Sequence, residues 1–283
     1  MEAQKVTIHD VMKAKEEQRK LVMVTAYDYP FGLMAGEAGV DMVLVGDSLG
    51  MVVMGLEGTV EVTMEHMIHH TKAVMRGCRG PLVVGDMPFM SYNTSIRDAI
   101  INAGRLLKEG GCDAVKLEGG VDFAPAVNAV VKAGIPVQGH IGLTPQTASA
   151  LGGFKMQGRD AAAAKRIIDD ARALEDAGAF SIVLEAVPAP LGKLVADSVH
   201  VPVIGIGAGP DVDGQVLVTH DMIGLFDKFV PKFVKQYAKI RPVILEAIAA
   251  YGKEVREGVF PGPENSFKMS DEALSRLKEM IGK

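Results

Sequence analysis

One pattern recurs along the chain: a short apolar run, mostly β-branched, that stops at Gly, Asp, Glu or Pro, followed by a longer stretch of helical spacing. The runs are Leu21–Thr25, Met42–Val45, Leu82–Val84, Ala114–Leu117, Pro136–Gln138, Ser181–Leu184, Val203–Ile206 and a weaker Val216–Met222. Their apolar character is nearly continuous rather than alternating, as expected of parallel strands covered on both faces. Eight such strands alternating with helices predict a (β/α)8 TIM barrel, for which roughly 250 residues is typical. A doubly wound sheet would want a glycine fingerprint after the first strand, and Ala26-Tyr27-Asp28-Tyr29 supplies none.

Between the runs, apolar residues fall on one helical face, as at Met64, Met67, Ile68, Val74 and Met75. Ser95–Gly110 opens on a capping serine and ends in glycines, and Asp160–Gly178 is alanine-rich. Three helices share an ending, Glu37-Ala38-Gly39, Lys132-Ala133-Gly134 and Asp176-Ala177-Gly178, where glycine supplies a left-handed cap before the next strand. A helix starting near Thr7 is placed to close the barrel floor. After Phe233 the pattern gives a long C-terminal helix, the loop Gly258–Pro263 and a terminal helix from about Ser270. Residues 1–283 therefore read as a single barrel domain with an N-terminal helix and a C-terminal helical extension.

Charge and composition exclude several functions. Thirty basic against 35 acidic side chains leave a formal charge of −5, which argues against a protein that neutralises phosphate backbones, so no nucleic-acid partner is expected. No apolar stretch approaches the roughly 18 residues of a membrane helix, and Met1-Glu2-Ala3-Gln4-Lys5 lacks the apolar core of a signal peptide. Cys78 and Cys112 alone make neither a disulfide framework nor a zinc site, and both read as structural. The expectation is a soluble cytoplasmic protein.

In such barrels the chemistry sits at the C-terminal ends of the strands. Those ends carry Asp47-Ser48, Asp86, Lys116 with Glu118, His140 and Glu185. Lys116 and Glu118 are two apart and share one side of a strand. Asp47, Asp86 and Glu118 come from consecutive strands and could reach one point. Crowded carboxylates repel unless a cation sits among them, and oxygen-only ligands suit Mg2+, which leaves room for substrate oxygens. An electrophilic magnesium that binds a keto acid follows from this arrangement.

Simpler readings compete at other positions. A lone Asp after a strand is usually a cap, but three acidic ends on successive strands are hard to explain that way. Gly205-Ile206-Gly207-Ala208-Gly209 looks like a phosphate cradle, yet Pro210 breaks the spacing, and a close-packed turn facing the site fits better. His66, His69 and His70 lie on the polar side of their helix and read as solvated surface or subunit contact. Most of the 16 methionines fall on apolar stripes and read as core filler.

The motifs Val45-Gly46-Asp47-Ser48-Leu49-Gly50, Gly85-Asp86-Met87-Pro88-Phe89, Val115-Lys116-Leu117-Glu118-Gly119-Gly120 and Gly139-His140-Ile141-Gly142-Leu143-Thr144-Pro145-Gln146 together resemble the ketopantoate hydroxymethyltransferase (3-methyl-2-oxobutanoate hydroxymethyltransferase) family. Glu185-Ala186-Val187-Pro188, Gly205–Gly209, His220–Leu225 and Phe260-Pro261-Gly262 continue the likeness, which runs in order from about Thr7 to Phe267. The resemblance implies transfer of a hydroxymethyl group from 5,10-methylenetetrahydrofolate to 3-methyl-2-oxobutanoate, giving 2-dehydropantoate, the first committed step towards pantothenate and coenzyme A. Carried over by motif, Asp47, Asp86 and Glu118 would hold one Mg2+ per subunit. Ser48, with Asp47, Asp86 and Lys116, would hold the keto acid, and Glu185 would be the general base. His140 is assigned to hydrogen bonding behind these groups. The resemblance also implies a cytoplasmic homodecamer.

Three rivals are set against this reading: a metal-dependent lyase of another 2-oxo acid, an aldolase with Lys116 as Schiff-base nucleophile, and a non-catalytic metabolite-binding barrel.

Overall fold

The computed structural model describes residues 4–283. Met1–Ala3, where the signal-peptide reading begins, lie outside the described residues. Eight parallel strands close into a barrel in chain order: β1 Leu21–Thr25, β2 Met42–Val45, β3 Leu82–Asp86, β4 Ala114–Glu118, β5 Val137–Gly142, β6 Ser181–Glu185, β7 Val203–Ile206 and β8 Gly214–Leu217. Leu21 opposite Gly214 and Val24 opposite Leu217 join the last strand to the first. The (β/α)8 expectation is met. The helices are α1 Ile8–Glu16, α2 Tyr29–Glu37, α3 Leu49–Val52, α4 Met64–Gly77, α5 Ile96–Arg105, α6 Ala124–Lys132, α7 Ala161–Asp176, α8 Ala189–Ser198, α9 Thr219–Met222, α10 Ile240–Glu257 and α11 Asp271–Met280.

Alternation along the strands sorts the core into two layers. Leu21, Met23, Met42, Leu44, Leu82, Val84, Ala114, Val183, Ile204 and Val216 form one buried cluster in the barrel. Their strand neighbours Val43, Val83, Val115 and Ile182 join a second cluster with Met67, Val74, Val127 and Leu174 of the helices. Val11 and Ala14 of α1 belong to the inner cluster, so this helix closes the floor. Thr7 caps it, and Lys15 Nζ anchors it at 2.8 Å from Ala196 O and 2.9 Å from Asp213 Oδ2.

The inward series then continues upward into polar residues. Leu82 and Val84 lead to Asp86, Ala114 to Lys116 and Glu118, Gln138 to His140, and Val183 to Glu185. Strands β3 to β6 thus run further than their apolar segments suggested, because backbone pairing does not stop where hydrophobicity does. Glu118 pairs with His140, and Gly142 with Glu185.

Two boundaries differ from the sequence reading. The eighth strand is Gly214–Leu217, not Val216–Met222. Beyond Leu217 the chain leaves the sheet: Thr219 N donates to Thr25 Oγ1 at 3.0 Å, and the amides of Met222 and Ile223 bond back to Val218 and Thr219 as α9. Apolar Val216–Met222 hid a strand end. The helix from Ser95 is α-helical only to Arg105; a wider π turn, Leu106–Gly110, finishes it before Gly111 at φ +84°.

The long helix α10 begins at Ile240, and Ser270 caps α11 by accepting from Ala273 N. Neither helix buries a residue. On α10, Val243, Leu245, Ile248 and Tyr251 are exposed, as is Val22 on the outer face of β1. Among the described residues, no helix is long and apolar enough to cross a membrane.

Candidate active site

The polar tops of the strands meet in one buried network. Asp47, just after β2, donates its backbone N–H to Asp86 Oδ2 at 3.2 Å. Lys116 Nζ lies 2.9 Å from Asp86 Oδ1 and 3.9 Å from Glu118 Oε1, and contacts His140 Nδ1 at 3.1 Å. On its far side, His140 Nε2 is 3.2 Å from Glu185 Oε2. Asp47, Asp86, Lys116, Glu118 and His140 are all buried, while the Glu185 side chain keeps 15% of its surface exposed at the rim. Every residue singled out in the sequence for the site is therefore in one neighbourhood. Ser48 joins it through its Oγ, 2.8 Å from the Tyr27 hydroxyl.

Sequence reasoning missed the clamp that orders the carboxylates. Gln146 Nε2 donates to Asp47 Oδ2 at 2.8 Å and to Met87 O at 2.9 Å, and its backbone N–H donates to Glu118 Oε2 at 3.0 Å. The Tyr92 hydroxyl donates to Gln146 Oε1 at 2.6 Å and accepts from Glu118 N at 3.3 Å. The only signal was the polar segment Thr144-Pro145-Gln146 after the fifth strand.

Electrostatics follow from this crowding. Burial, then Asp86 and Glu118, raise the Asp47 pKa well above its ordinary value. Burial raises Asp86 too, although Lys116 opposes it. Burial works against Glu118, yet His140, Lys116 and the Gln146 amide outweigh it and hold it low. Burial and Lys116 also oppose charge on His140, but Glu118 and Glu185 lift it to about 9. A charged imidazole sits at ion-pair distance from both acids, with Nδ1 3.3 Å from Glu118 Oε1 and Nε2 3.2 Å from Glu185 Oε2. Lys116 is held protonated despite its burial, by Asp86 first and then Glu118 and Asp47. A Schiff-base nucleophile must be neutral, so this environment suits an ion pair and not the aldolase reading.

Four carboxylates thus face two cationic side chains. Asp86 Oδ1 and Glu118 Oε1 are buried without a well-directed hydrogen bond. Among the described residues, no group of three or more His, Cys, Asp or Glu side chains is already arranged to hold a metal ion; Lys116 sits among the three acids. That donor set fits Mg2+, which takes few protein carboxylates and completes its shell with water and substrate oxygens. With no thiolate and only one imidazole, it does not fit a structural zinc site.

The backbone around Glu185 is tightly set. Gly142 has φ +90°, and a Cβ there would lie 2.3 Å from Glu185 O, so only glycine lets β5 pass so close. Leu143 N donates to that same carbonyl at 2.9 Å. The Gly205–Gly209 turn is close-packed as expected: Gly207 has φ +66°, and its Cβ would meet the Phe233 ring at 2.6 Å.

The histidine trio divides. His69 is exposed, and His66 accepts from Thr63 N with its ring as part of the α4 cap. His70 is half-buried, and its Nδ1 lies 2.6 Å from Tyr27 O, tying α4 to the loop after β1. Cys78 and Cys112 are free and buried, and burial pushes their thiols up to about 11 and about 12.

Above the network opens a cavity of about 900 Å³. Asp47, Ser48, Lys116, His140 and Glu185 line one sector. The opposite sector, towards β7, β8 and β1, is walled by Val216, Val218, Phe226 and Phe233, with Met51 and Val52 of α3. The carboxylate Asp221 stands in that half, and Lys155 and Lys232 also border the cavity. The cavity is thus polar on one side and largely apolar on the other.

The profile of the family described as ketopantoate hydroxymethyltransferase matches residues 5–263. A protein named 3-methyl-2-oxobutanoate hydroxymethyltransferase from Heliobacterium modesticaldum is 57% identical over 270 residues, covering 95% of this chain and 98% of its own. One of the same name from Moorella thermoacetica is 59% identical over 264 residues, covering 93% and 98%. Among solved structures, a phosphonopyruvate hydrolase complex with oxalate and Mg2+ superposes with a TM-score of 0.61 at 12% identity, covering 96% of this chain and 98% of that one. A 2,3-dimethylmalate lyase of the PEP mutase/isocitrate lyase superfamily superposes with a TM-score of 0.60 at 17% identity, covering 97% and 96%. At such identities these two speak for the barrel fold alone.

Proposed function

The chain belongs to the ketopantoate hydroxymethyltransferase family, and from that premise we propose that it transfers a hydroxymethyl group from 5,10-methylenetetrahydrofolate to 3-methyl-2-oxobutanoate, giving 2-dehydropantoate and tetrahydrofolate with one water consumed. The observation that carries this reading is the inward run Asp86, Lys116, Glu118, His140 and Glu185 on four successive strands, beside a cavity with a second, apolar sector.

Each side chain then has a task. Asp47 and Asp86 would hold one Mg2+ per subunit, with Glu118 as the third acidic group. When bound, the ion would supply a Lewis acid that draws charge from the keto oxygen. Lys116 balances the substrate carboxylate, and Ser48, steadied by Tyr27, hydrogen-bonds to the keto acid. Glu185 takes the proton from C3; water adds to the donor's methylene carbon as its bonds to the two folate nitrogens break and tetrahydrofolate leaves, and the C3 carbanion attacks the resulting formaldehyde carbon, whose oxygen takes up a proton to become the hydroxyl. His140, with Nε2 3.2 Å from Glu185 Oε2, positions that base. Gln146 holds Asp47 and Glu118 in place throughout.

The same reading makes residues 1–283 a single domain acting in the cytoplasm in pantothenate and coenzyme A synthesis. It also makes the protein a homodecamer, and the exposed apolar face of α10 supports self-association. The test is consumption of 3-methyl-2-oxobutanoate. It should require both methylenetetrahydrofolate and Mg2+, and stop when divalent ions are stripped. Full turnover in excess chelator, or cleavage of a 2-oxo acid without the donor, would contradict the reading.

A further inference from the structure

Asp221 has no task in the chemistry above, yet its surroundings are those of a ligand-binding carboxylate. It follows β8 on α9, across the mouth from the strands that carry the acidic network. Its residue surface is 7% exposed, its Oδ1 is buried without a hydrogen-bond partner, and it borders the cavity. Neither a capping role nor an ion pair accounts for it: no side chain caps α9, and no cation lies within salt-bridge distance among the described residues. Burial lifts it to about 6, which leaves it an anion at neutral pH.

The segment around it is braced. His220 packs its ring against Tyr27 and Phe31, at centroid distances of 5.2 and 5.0 Å, and its carbonyl accepts from the amides of Leu225 and Phe226. A buried, orphaned carboxylate on a rigid turn, beside the apolar walls Val218 and Phe226, calls for a flat ligand with adjacent N–H donors on one edge.

We propose that Asp221 anchors the pterin ring of the one-carbon donor by accepting hydrogen bonds from its 2-amino group and N3–H, while Val218, Phe226 and α3 cover the ring. The assignment rests on the reading that the donor is a folate. It explains why the cavity extends well beyond what the small keto acid fills, and it gives the orphaned acceptor on the far side of that cavity a partner.

The probe is tetrahydrofolate, which lacks the transferable carbon, titrated calorimetrically into the Mg2+- and keto-acid-loaded protein. The near-isosteric Asp221→Asn should bind it about 10- to 100-fold more weakly than wild type, the loss expected for removing charge-assisted hydrogen bonds. A tetrahydrofolate analogue without the 2-amino group should bind wild type weakly and lose little more in Asp221→Asn, because both changes remove one contact. The analogue with wild-type protein decides the matter even where the variant folds poorly. Equal tetrahydrofolate affinity in wild type and Asp221→Asn, or fully additive losses in the cycle, overturns the assignment. If wild-type protein binds no tetrahydrofolate at all, the folate reading itself falls, an outcome distinct from loss at Asp221 alone.

Discussion

At the scale of single residues, the site is a balance of charges that one neutral side chain keeps in register. Gln146 donates to Asp47 and Met87, accepts from Tyr92 and presents its amide to Glu118. Gln146→Leu should strip buried partners from Asp47 and Tyr92 and cost about 1–3 kcal/mol of stability, read by urea unfolding. Keto-acid binding in the presence of Mg2+ should weaken as well; unchanged stability and binding would remove Gln146 from the scaffold. The acids, Lys116 and Glu185 were legible in the sequence because strand ends in a barrel converge, whatever the intervening chain. Gln146, Tyr92 and Tyr27 were not, because neutral side chains on loops acquire a role only through partners far along the chain. Asp221 was hidden differently: its flanking apolar residues read as strand, whereas Thr219 turns the chain out of the sheet.

At the scale of elements, the barrel imposes its alternation on sequences whose hydrophobicity ends early. Asp86, Glu118, His140 and Glu185 lie within the strands because pairing with neighbours holds them there, and no local pattern records that pairing. The contact between β5 and β6 is the sharpest case. Gly142→Ala would combine a left-handed φ with a methyl 2.3 Å from Glu185 O. Strain of this kind costs about 1–3 kcal/mol, and the strands must part to relieve it. The variant should unfold at lower temperature by calorimetry and lose turnover more than its residual folded fraction explains. A fully active, equally stable Gly142→Ala would show that this packing does not position the base.

At the scale of the molecule, a closed barrel carries an appendage with no partner of its own. The apolar residues of α10 face outward, and the outer side of β1 is equally bare at Val22. Exposed apolar patches of this kind mark association surfaces, so Ile248→Glu should shift the assembly to smaller species in analytical ultracentrifugation. An unchanged sedimentation profile would place the interface elsewhere. Whatever the assembly, Glu185 at the acidic mouth is the group proposed to remove the C3 proton of a keto acid. The most direct measurement omits the folate: exchange of C3 hydrogen of 3-methyl-2-oxobutanoate with solvent deuterium, followed by NMR with Mg2+ present. Wild-type protein should exchange it. Glu185→Gln, which keeps the shape and removes the proton acceptor, should exchange it about 10²–10⁴-fold more slowly, the usual contribution of a positioned base, while still binding the substrate. Exchange by Glu185→Gln at the wild-type rate would contradict the account and move the base elsewhere, with His140 the next residue to test.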